Sequence, residues 1–484
     1  MFESFFYNKG WRTLFLVVGL VSLAIPFIGC FFEGIDLDTA VILTEMERVA
    51  EGYVPYKTMH LNYPPLLFYF FSLLKSLFGI SYGCLTFYRF INLVFILLTG
   101  IVVYYFCKKL SATSVVSFVC VWLYLASVLY SDGTFVIFEA MSIFWGIWSL
   151  YLCWTYTPLI TLHYVLIGFL ASLSFLVKQF GLGFLVLDIL CLIVLLNRKK
   201  IVSVAGLIGG FLIPVFVCYL IWGEVFFESV LFNGYGTETA VMSGEDTSLL
   251  AKINQICSNL VFFCFKRYPF SLLTFVTIPV VIKGDKWKEM MILVLGLLGI
   301  SLQFYFVPEG LHYFLYMIPF AVLMTAMVLS CVFAKPLTFI TGACLAYTAV
   351  VIALGVFYSH VYVPVAKPHL RDEQYTNSKL LAKVVNSTQK TVWIVNTDIE
   401  YLYYLNNLMV PNLGNIGYAT GQLEVTKDKQ KKQVEDADVV LVSLVETAPY
   451  SFTNDMKDYL SGFPCDTINQ AFVAYRKERR NQKW

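Results

Sequence analysis

The sequence predicts a polytopic α-helical membrane protein with a small soluble α/β domain at its C-terminal end. Three observations predict it. Apolar residues make up 58% of the 484 positions and charged residues only 14%, against about 25% charged in an ordinary soluble domain. Eleven apolar runs are long enough to cross a hydrocarbon core of about 30 Å. After residue 360 the chain turns polar, and short apolar strands alternate with turn residues. A water-soluble fold cannot bury this much apolar surface, which includes 43 Phe and 31 Tyr. Lipid is therefore the solvent for most of it. The net charge of +2 comes with no basic cluster of the kind that tracks nucleic acid.

The first run lies in "NKGWRTLFLVVGLVSLAIPFIGCFF". A basic start before an apolar run is also the pattern of a signal peptide, and "FIGC" is like a lipoprotein cleavage site. The run is long, lacks a small-x-small cleavage pattern and precedes many more spans, so it reads as an uncut signal anchor. The runs fall near 13–31, 89–107, 112–130, 138–156, 159–177, 180–196, 201–222, 257–282, 289–307, 312–333 and 337–358. Basic residues mark the cytoplasmic side. Lys9 with Arg12, Lys108 with Lys109, "NRKK" at 197–200, "KGDKWK" at 283–288 and Lys335 all satisfy one orientation, with about 11 transmembrane helices and the N-terminus inside. Residues 1–360 then form the membrane module, with 32–88 as its first outer loop. "PPLLFYFFSLLKSLFG" at 64–79 would break the parity as a span. It is short, holds Lys75 and opens on two prolines, so it reads as an interfacial helix.

Residues 361–484 form the outer α/β domain. "TVWIVN" (391–396) and "DADVVLVSL" (436–444) read as buried parallel strands, "NSKLLAKVVN" (377–386) and "DIEYLYYLNN" (398–407) as helices. The twelve cysteines are scattered without a CxxC, so neither a zinc site nor a redox pair is indicated.

The first outer loop opens with "FEGIDLDTAVILTEMERVAEGYVPY" (32–56). From Asp38, the apolar positions Ile42, Met46, Val49 and Tyr53 recur at helical spacing, and Gly52 and Pro55 end the helix. Glu45 and Glu47 are placed on exposed or groove-facing turns. Asp36 or Asp38 as N-cap is the ordinary role for an aspartate here. Two aspartates leave one without a capping task.

The loop resembles the first outer loop of the GT-C glycosyltransferases, polytopic enzymes that take a sugar from a polyprenyl phosphate. The closest likeness is to bacterial relatives of the protein O-mannosyltransferases and of the lipid A aminoarabinose transferases. Asp38, Ala40, "VAEGYVPY" with Gly52 fourteen positions on, "YPP" at 63–65, "LFG" at 77–79 and Arg89 carry it. "FEAM" (138–141), "KQFG" (178–181), "HYFLYMIPFA" (312–321) and "LYYLNN" in the C-terminal domain look like later landmarks. The likeness thus runs over nearly the whole chain, through motifs that are individually loose. One departure concerns the acids. Members often carry Asp-Glu in this loop, whereas here Asp38 is followed by Thr39 and the doublet is split as Asp36-Leu37-Asp38. The glycine spacing favours Asp38, with Asp36 as the alternative.

The resemblance implies transfer with inversion at C1, the loop aspartate acting as general base on the acceptor hydroxyl. It implies no nucleotide site, and the sequence has no phosphate loop or dinucleotide fingerprint. No cofactor is expected, and a metal requirement stays open. The departing phosphate needs cationic donors. Lys178, at the outer junction of two apolar runs, is the first choice, with snorkelling to the interface as its ordinary role. Arg89 at the head of the second span and His312 at the tenth are the others. Arg89 doubles as a helix-end anchor, and His312 as a plain polar residue. Glu139, at the mouth of the fourth span, either positions the acceptor or shares base duty. Asp132 reads as loop solvation. His60, Tyr63 and Tyr313 are placed in the substrate pocket, where an interfacial aromatic belt is the competing role. The 223–256 loop is either a lid or a surface loop.

The expected partners are the bilayer, a polyprenyl-phosphate sugar donor and a glycolipid, glycan or protein acceptor. The family likeness implies a bacterial inner membrane with the site and the C-terminal domain outside the cytoplasm. A transporter or flippase of a lipid-linked glycan, or a glycan polymerase or ligase, would share the many spans. A transporter needs polar residues deep in the spans, whereas here charge gathers at the span ends, with Lys266 and Arg267 as the exception.

Overall fold

The computed structural model describes residues 37–59, 61, 63–80, 85–110, 112–130, 138–155, 161–195, 200–233, 249–264, 268, 286–302 and 311–333. It also describes scattered positions between 13 and 31, and 392–395, 439–443, 460–469 and 472–476. The chain forms two compact units. The first comprises Met1–Phe32, Tyr88–Gly223 and Glu245–Ala366, the second Glu33–Phe87, Glu224–Gly244 and Lys367–Trp484.

The helices follow the apolar runs. They are α1 (Leu37–Ala50), α2 (Leu66–Phe78), α3 (Leu85–Lys109), α4 (Ser114–Tyr130), α5 (Phe138–Thr155), α6 (Thr161–Val177), α7 (Leu182–Leu195), α8 (Lys200–Trp222), α9 (Glu224–Phe227), α10 (Leu249–Phe262), α11 (Trp287–Ser301) and α12 (Ile318–Phe333). By length and composition, three described stretches can cross a membrane: Leu85–Lys109, Ile201–Trp222 and His312–Ser330. Their burial differs. The window in His312–Ser330 is 94% buried and that in Ile201–Trp222 33%. α12 is thus a central helix of the first unit, and α8 lies at its rim. The run at 337–358 lies outside the described residues.

Helix packing in the first unit depends on glycine. Without a hydrophobic force between helices in lipid, close backbone approach through small residues does the holding. A Cβ on Gly168 of α6 would sit 1.9 Å from the Leu207 carbonyl oxygen of α8. One on Gly210 of α8 would sit 2.0 Å from that of Val165. Gly210→Ala is therefore expected to lower the heat-unfolding midpoint in detergent, at a cost of about 1–3 kcal/mol. Gly209→Ala is the control, since a Cβ there meets nothing within 4 Å. Equal midpoints for the two variants would contradict the tight crossing.

The ends of the helices bear on sidedness. Lys286 Nζ donates a 2.7 Å hydrogen bond to the Leu110 carbonyl. Two of the basic clusters assigned to one membrane face thus meet at one end of the first unit.

In the second unit, α1 turns Ile42, Leu43, Met46 and Val49 inward, the periodicity expected from sequence. Its acids, read from sequence as exposed or groove-facing, are not exposed. Glu45 and Glu47 are both buried. Glu45 pairs with Arg48 at 3.1 Å, and Glu47 takes the Lys75 ammonium of α2. Burial pushes the Glu45 carboxyl up from its ordinary value, with Arg48 opposing. Helical periodicity cannot reveal this, because the Glu47 partner lies on another helix. Gly52 leaves α1 at φ 97°, a conformation that glycine adopts without penalty. α2 has 13 residues and closes on Gly79 in the left-handed region, whose N–H donates to Lys75 O. At about 20 Å it is shorter than a span.

The 223–256 stretch is less loop-like than expected. α9 and a π-helical turn at Glu228–Asn233 occupy its start, and α10 begins at Leu249, eight residues before the predicted span. Residues 234–248 lie outside the described set. Polar Lys252, Asn254 and Gln255 dilute the apolar signal at the start of α10.

The C-terminal part carries β1 (Val392–Val395), β2 (Val439–Ser443), β3 (Cys465–Asn469) and β4 (Phe472–Arg476) in the order β1-β2-β4-β3. β1 and β2 are parallel, with Val392 opposite Val439, as expected for their sequences. β3 and β4 add an antiparallel hairpin that the sequence analysis did not anticipate. The helices expected at 377–386 and 398–407 lie outside the described residues.

Candidate active site

The first unit brings four of the sequence-derived site residues together. α5 opens at Phe138, which puts Glu139 in its first turn, where the helix dipole favours an anion. α6 ends at Val177, Lys178 is extended (φ −149°, ψ 136°), and Gln179–Gly181 make one 3-10 turn before α7. A Cβ on Gly181 would fall 2.3 Å from the carbonyl carbon of Ser174, so glycine lets this turn fold back onto α6.

Two serines set the register. Ser142 Oγ donates to Ser174 O at 3.1 Å, and Ser174 Oγ donates to Ser142 O at 2.8 Å. Glu139 lies three residues before Ser142, and Lys178 four after Ser174. One turn along each helix, the clasp therefore delivers a carboxylate to an ammonium. Lys178 Nζ hydrogen-bonds Glu139 Oε1 in a buried ion pair. Lys178 is thus held inward and does not snorkel.

The 3-10 segment Leu311–Tyr316 completes the cluster. His312 Nε2 lies 3.7 Å from Glu139 Oε1. The Tyr313 ring centroid is 4.3 Å from Lys178 Nζ, with Phe138 and Phe180 at 5.6 Å and 5.7 Å. Cation–π attraction adds to the ion pair in such surroundings. Among the described residues, Glu139 Oε2 has no hydrogen-bond partner. Chemically, the cluster is a pre-oriented cation beside an imidazole, compensated by one carboxylate. Water exclusion makes its charges act strongly on any ligand that reaches them.

The other residues stand apart in the description. Arg89 is buried in the second turn of α3. Asp38 lies in the first turn of α1, its side chain outside the described set. Asp36, His60 and Asp132 are outside it altogether. Tyr63 accepts a 2.6 Å hydrogen bond at its carbonyl from the Tyr56 hydroxyl, and Tyr56 holds φ 65°, an unusual conformation for a residue with a side chain.

Sequence reasoning missed the serine clasp, the Phe138 and Phe180 rings and Asp188. Asp188 is fully buried in α7, its carbonyl accepting a 3.4 Å contact from Cys153 Sγ. A lone carboxylate within "LGFLVLDILCLIVL" was a readable signal, because ionisable groups inside spans are rare.

The fold is similar to that of solved ArnT and AglB structures. Three solved structures carry the likeness. ArnT from Cupriavidus metallidurans bound to undecaprenyl phosphate matches with a TM-score of 0.63 at 12% identity, over 96% of this chain and 98% of that one. The apo state of ArnT gives 0.61 at 12% identity, over 97% and 98%. The archaeal oligosaccharyltransferase AglB from Archaeoglobus fulgidus, in complex with an inhibitory peptide and a dolichol-phosphate, gives 0.55 at 11% identity, over 90% and 70%. No family model matches the chain, and neither does any curated protein sequence.

Proposed function

We propose that the protein transfers a sugar from a polyprenyl-phosphate-linked donor to an acceptor at the outer face of a membrane, with inversion at C1. The observation that carries this is the buried Glu139–Lys178 pair with His312 beside it, on a fold of this kind. Transfer from a lipid phosphate needs two things from the protein: cationic donors for the leaving phosphate, and a base for the acceptor hydroxyl. Lys178, His312 and Arg89 supply the first. Asp38 supplies the second, with Asp36 as the alternative. Glu139 holds Lys178 in place through Oε1 and, as part of the same proposal, positions the acceptor or shares base duty. His60, Tyr63 and Tyr313 are the residues we assign to substrate binding.

We assign the protein to a bacterial inner membrane with about eleven spans, its site and C-terminal α/β domain outside the cytoplasm. The meeting of Lys286 with the end of α3 supports that orientation, as does the gathering of Glu139, Lys178 and His312, all assigned to the opposite face. The sugar is a hexose or pentose, and the acceptor a glycolipid, a glycan or a protein hydroxyl.

Purified protein is expected to release polyprenyl phosphate from a labelled lipid-linked sugar only when acceptor is present. Lipids and glycans extracted from cells with and without the gene identify the pair to use. Asp188 is the observation that favours a transporter or flippase, because it is a carboxyl deep within a helix. Asp188→Asn separates the two functions. The transferase keeps turnover, and a transporter gated by that carboxyl loses substrate movement. Translocation of lipid-linked sugar without bond cleavage would overturn the proposal.

A further inference from the structure

The site is assembled from three pieces. They are the first turn of α5 with Glu139, the turn before α7 with Lys178, and the 3-10 segment with His312 and Tyr313. The serine clasp fixes the first piece to α6. Aromatic rings hold the third. The Phe180 ring stands 4.8 Å from that of Tyr313 and 6.4 Å from that of Tyr316, centroid to centroid. Phe184, one turn further along the chain, stands 6.3 Å from Tyr316 and stacks on Phe320 of α12 at 6.0 Å and 24°. Phe184 and Phe320 are both fully buried. Each of these two rings meets a glycine. A Cβ on Gly146 of α5 would fall 2.1 Å from the Phe184 ring, and one on Gly296 of α11 would fall 2.6 Å from the Phe320 ring. Any side chain at either position must displace a ring. Gly146 follows Glu139 by seven residues, two turns along the same face of α5 and roughly 10 Å along its axis. One face of α5 thus carries the carboxylate of the site and receives the Phe184 ring two turns away.

We infer that Phe184 is a positioning residue for the donor phosphate. Lodged against Gly146, its ring sets the spacing between α5 and the 3-10 segment. This rests on the transferase proposal above. Lys178 lies between those two elements, paired with Glu139 of α5 and beneath the Tyr313 ring of the segment. A shift of either element therefore changes where the ammonium is held. Protein interiors are packed as densely as organic crystals and do not absorb a change of volume in place. When the ring is pushed or shortened, the strain passes to its neighbours. On one side these are the backbone of α5 at Gly146, on the other Tyr316 at the end of the segment. Phe184 acts through them and is not itself a phosphate ligand.

Product binding tests the assignment without knowledge of sugar or acceptor. Polyprenyl phosphate is titrated into the detergent-solubilised full-length protein, and the heat-unfolding midpoint of each variant is recorded beside its affinity. Gly146→Ala drives a methyl group into the ring and is expected to weaken binding by about tenfold, part of the cost of overpacking being felt at the site. Phe184→Leu removes the ring without adding an atom against α5. It is expected to weaken binding as well, and it carries the test should Gly146→Ala fail to fold. Gly146→Ala combined with Phe184→Leu nearly restores the original volume, the kind of exchange a core tolerates best. That double variant is expected to bind more tightly than either single one, because residues in contact do not add independently. Gly210→Ala is the control. It overpacks the crossing of α6 and α8, and is expected to lose stability while keeping its affinity. Wild-type affinity in Gly146→Ala and Phe184→Leu overturns the role of Phe184 alone. So does an equal loss of affinity in Gly210→Ala, or a double variant that binds no better than the single ones. No saturable binding by wild type overturns the transferase proposal, and the positioning role with it.

Discussion

Lys178→Met is expected to destabilise the protein by about 3–5 kcal/mol and to abolish transfer. The magnitude comes from what the substitution leaves behind. Glu139 stays buried with its side chain 0% exposed, and an uncompensated buried carboxylate costs far more than the pair contributes when intact. Heat-unfolding midpoints in detergent measure it. Removing both charges in Glu139→Gln with Lys178→Met restores most of the stability, because no orphan charge remains. That double variant is still expected to be inactive, since the phosphate has lost its cation. If the single variant unfolds like wild type, Glu139 and Lys178 do not form the buried pair on which the site rests.

Asp38→Asn is expected to lower turnover by about 10²–10⁴-fold, the usual share of a general base. Asparagine keeps the size of the side chain and cannot accept the acceptor's proton. The inward face of α1, with Ile42, Leu43, Met46 and Val49, is untouched, so the unfolding midpoint should stay near that of wild type. Asp36 gives the contrast. It immediately precedes α1, and asparagine caps a helix about as well as aspartate. Asp36→Asn should therefore keep both stability and turnover, whereas Asp36→Ala should lose about 1 kcal/mol if the residue caps. Full turnover in both asparagine variants would remove the loop aspartates from the mechanism.

The parts of the fold legible in sequence share one property: their signal is local. α2 was announced by Pro64-Pro65 before it and Gly79 after it, and β1 and β2 by short apolar runs between turn residues. The β3–β4 hairpin was not legible. Gln470-Ala471 lies between its strands, without the Asn-Gly or Gly pairs that mark a tight turn. The acids of α1 show the other limit. Sequence left Glu47 exposed or groove-facing, and it is buried because Lys75, 28 residues later, meets it.

The candidate site divides in the same way. Glu139, Lys178 and His312 could each be named from sequence, because a charged or polar residue at the end of an apolar run is costly unless it has a task. Their distance from one another in the chain hid that they share a task. A pattern of residues records how a segment treats water and lipid, and that is a property of each segment alone. The sequence by itself thus determined the solvent of the chain, the order of its helices and which ionisable residues stood in expensive places. Only the tertiary structure decided that Ser142 and Ser174 lock α5 to α6. It also decided that one carboxylate serves both an ammonium and an imidazole, because such contacts depend on the register between helices, which local pattern does not encode.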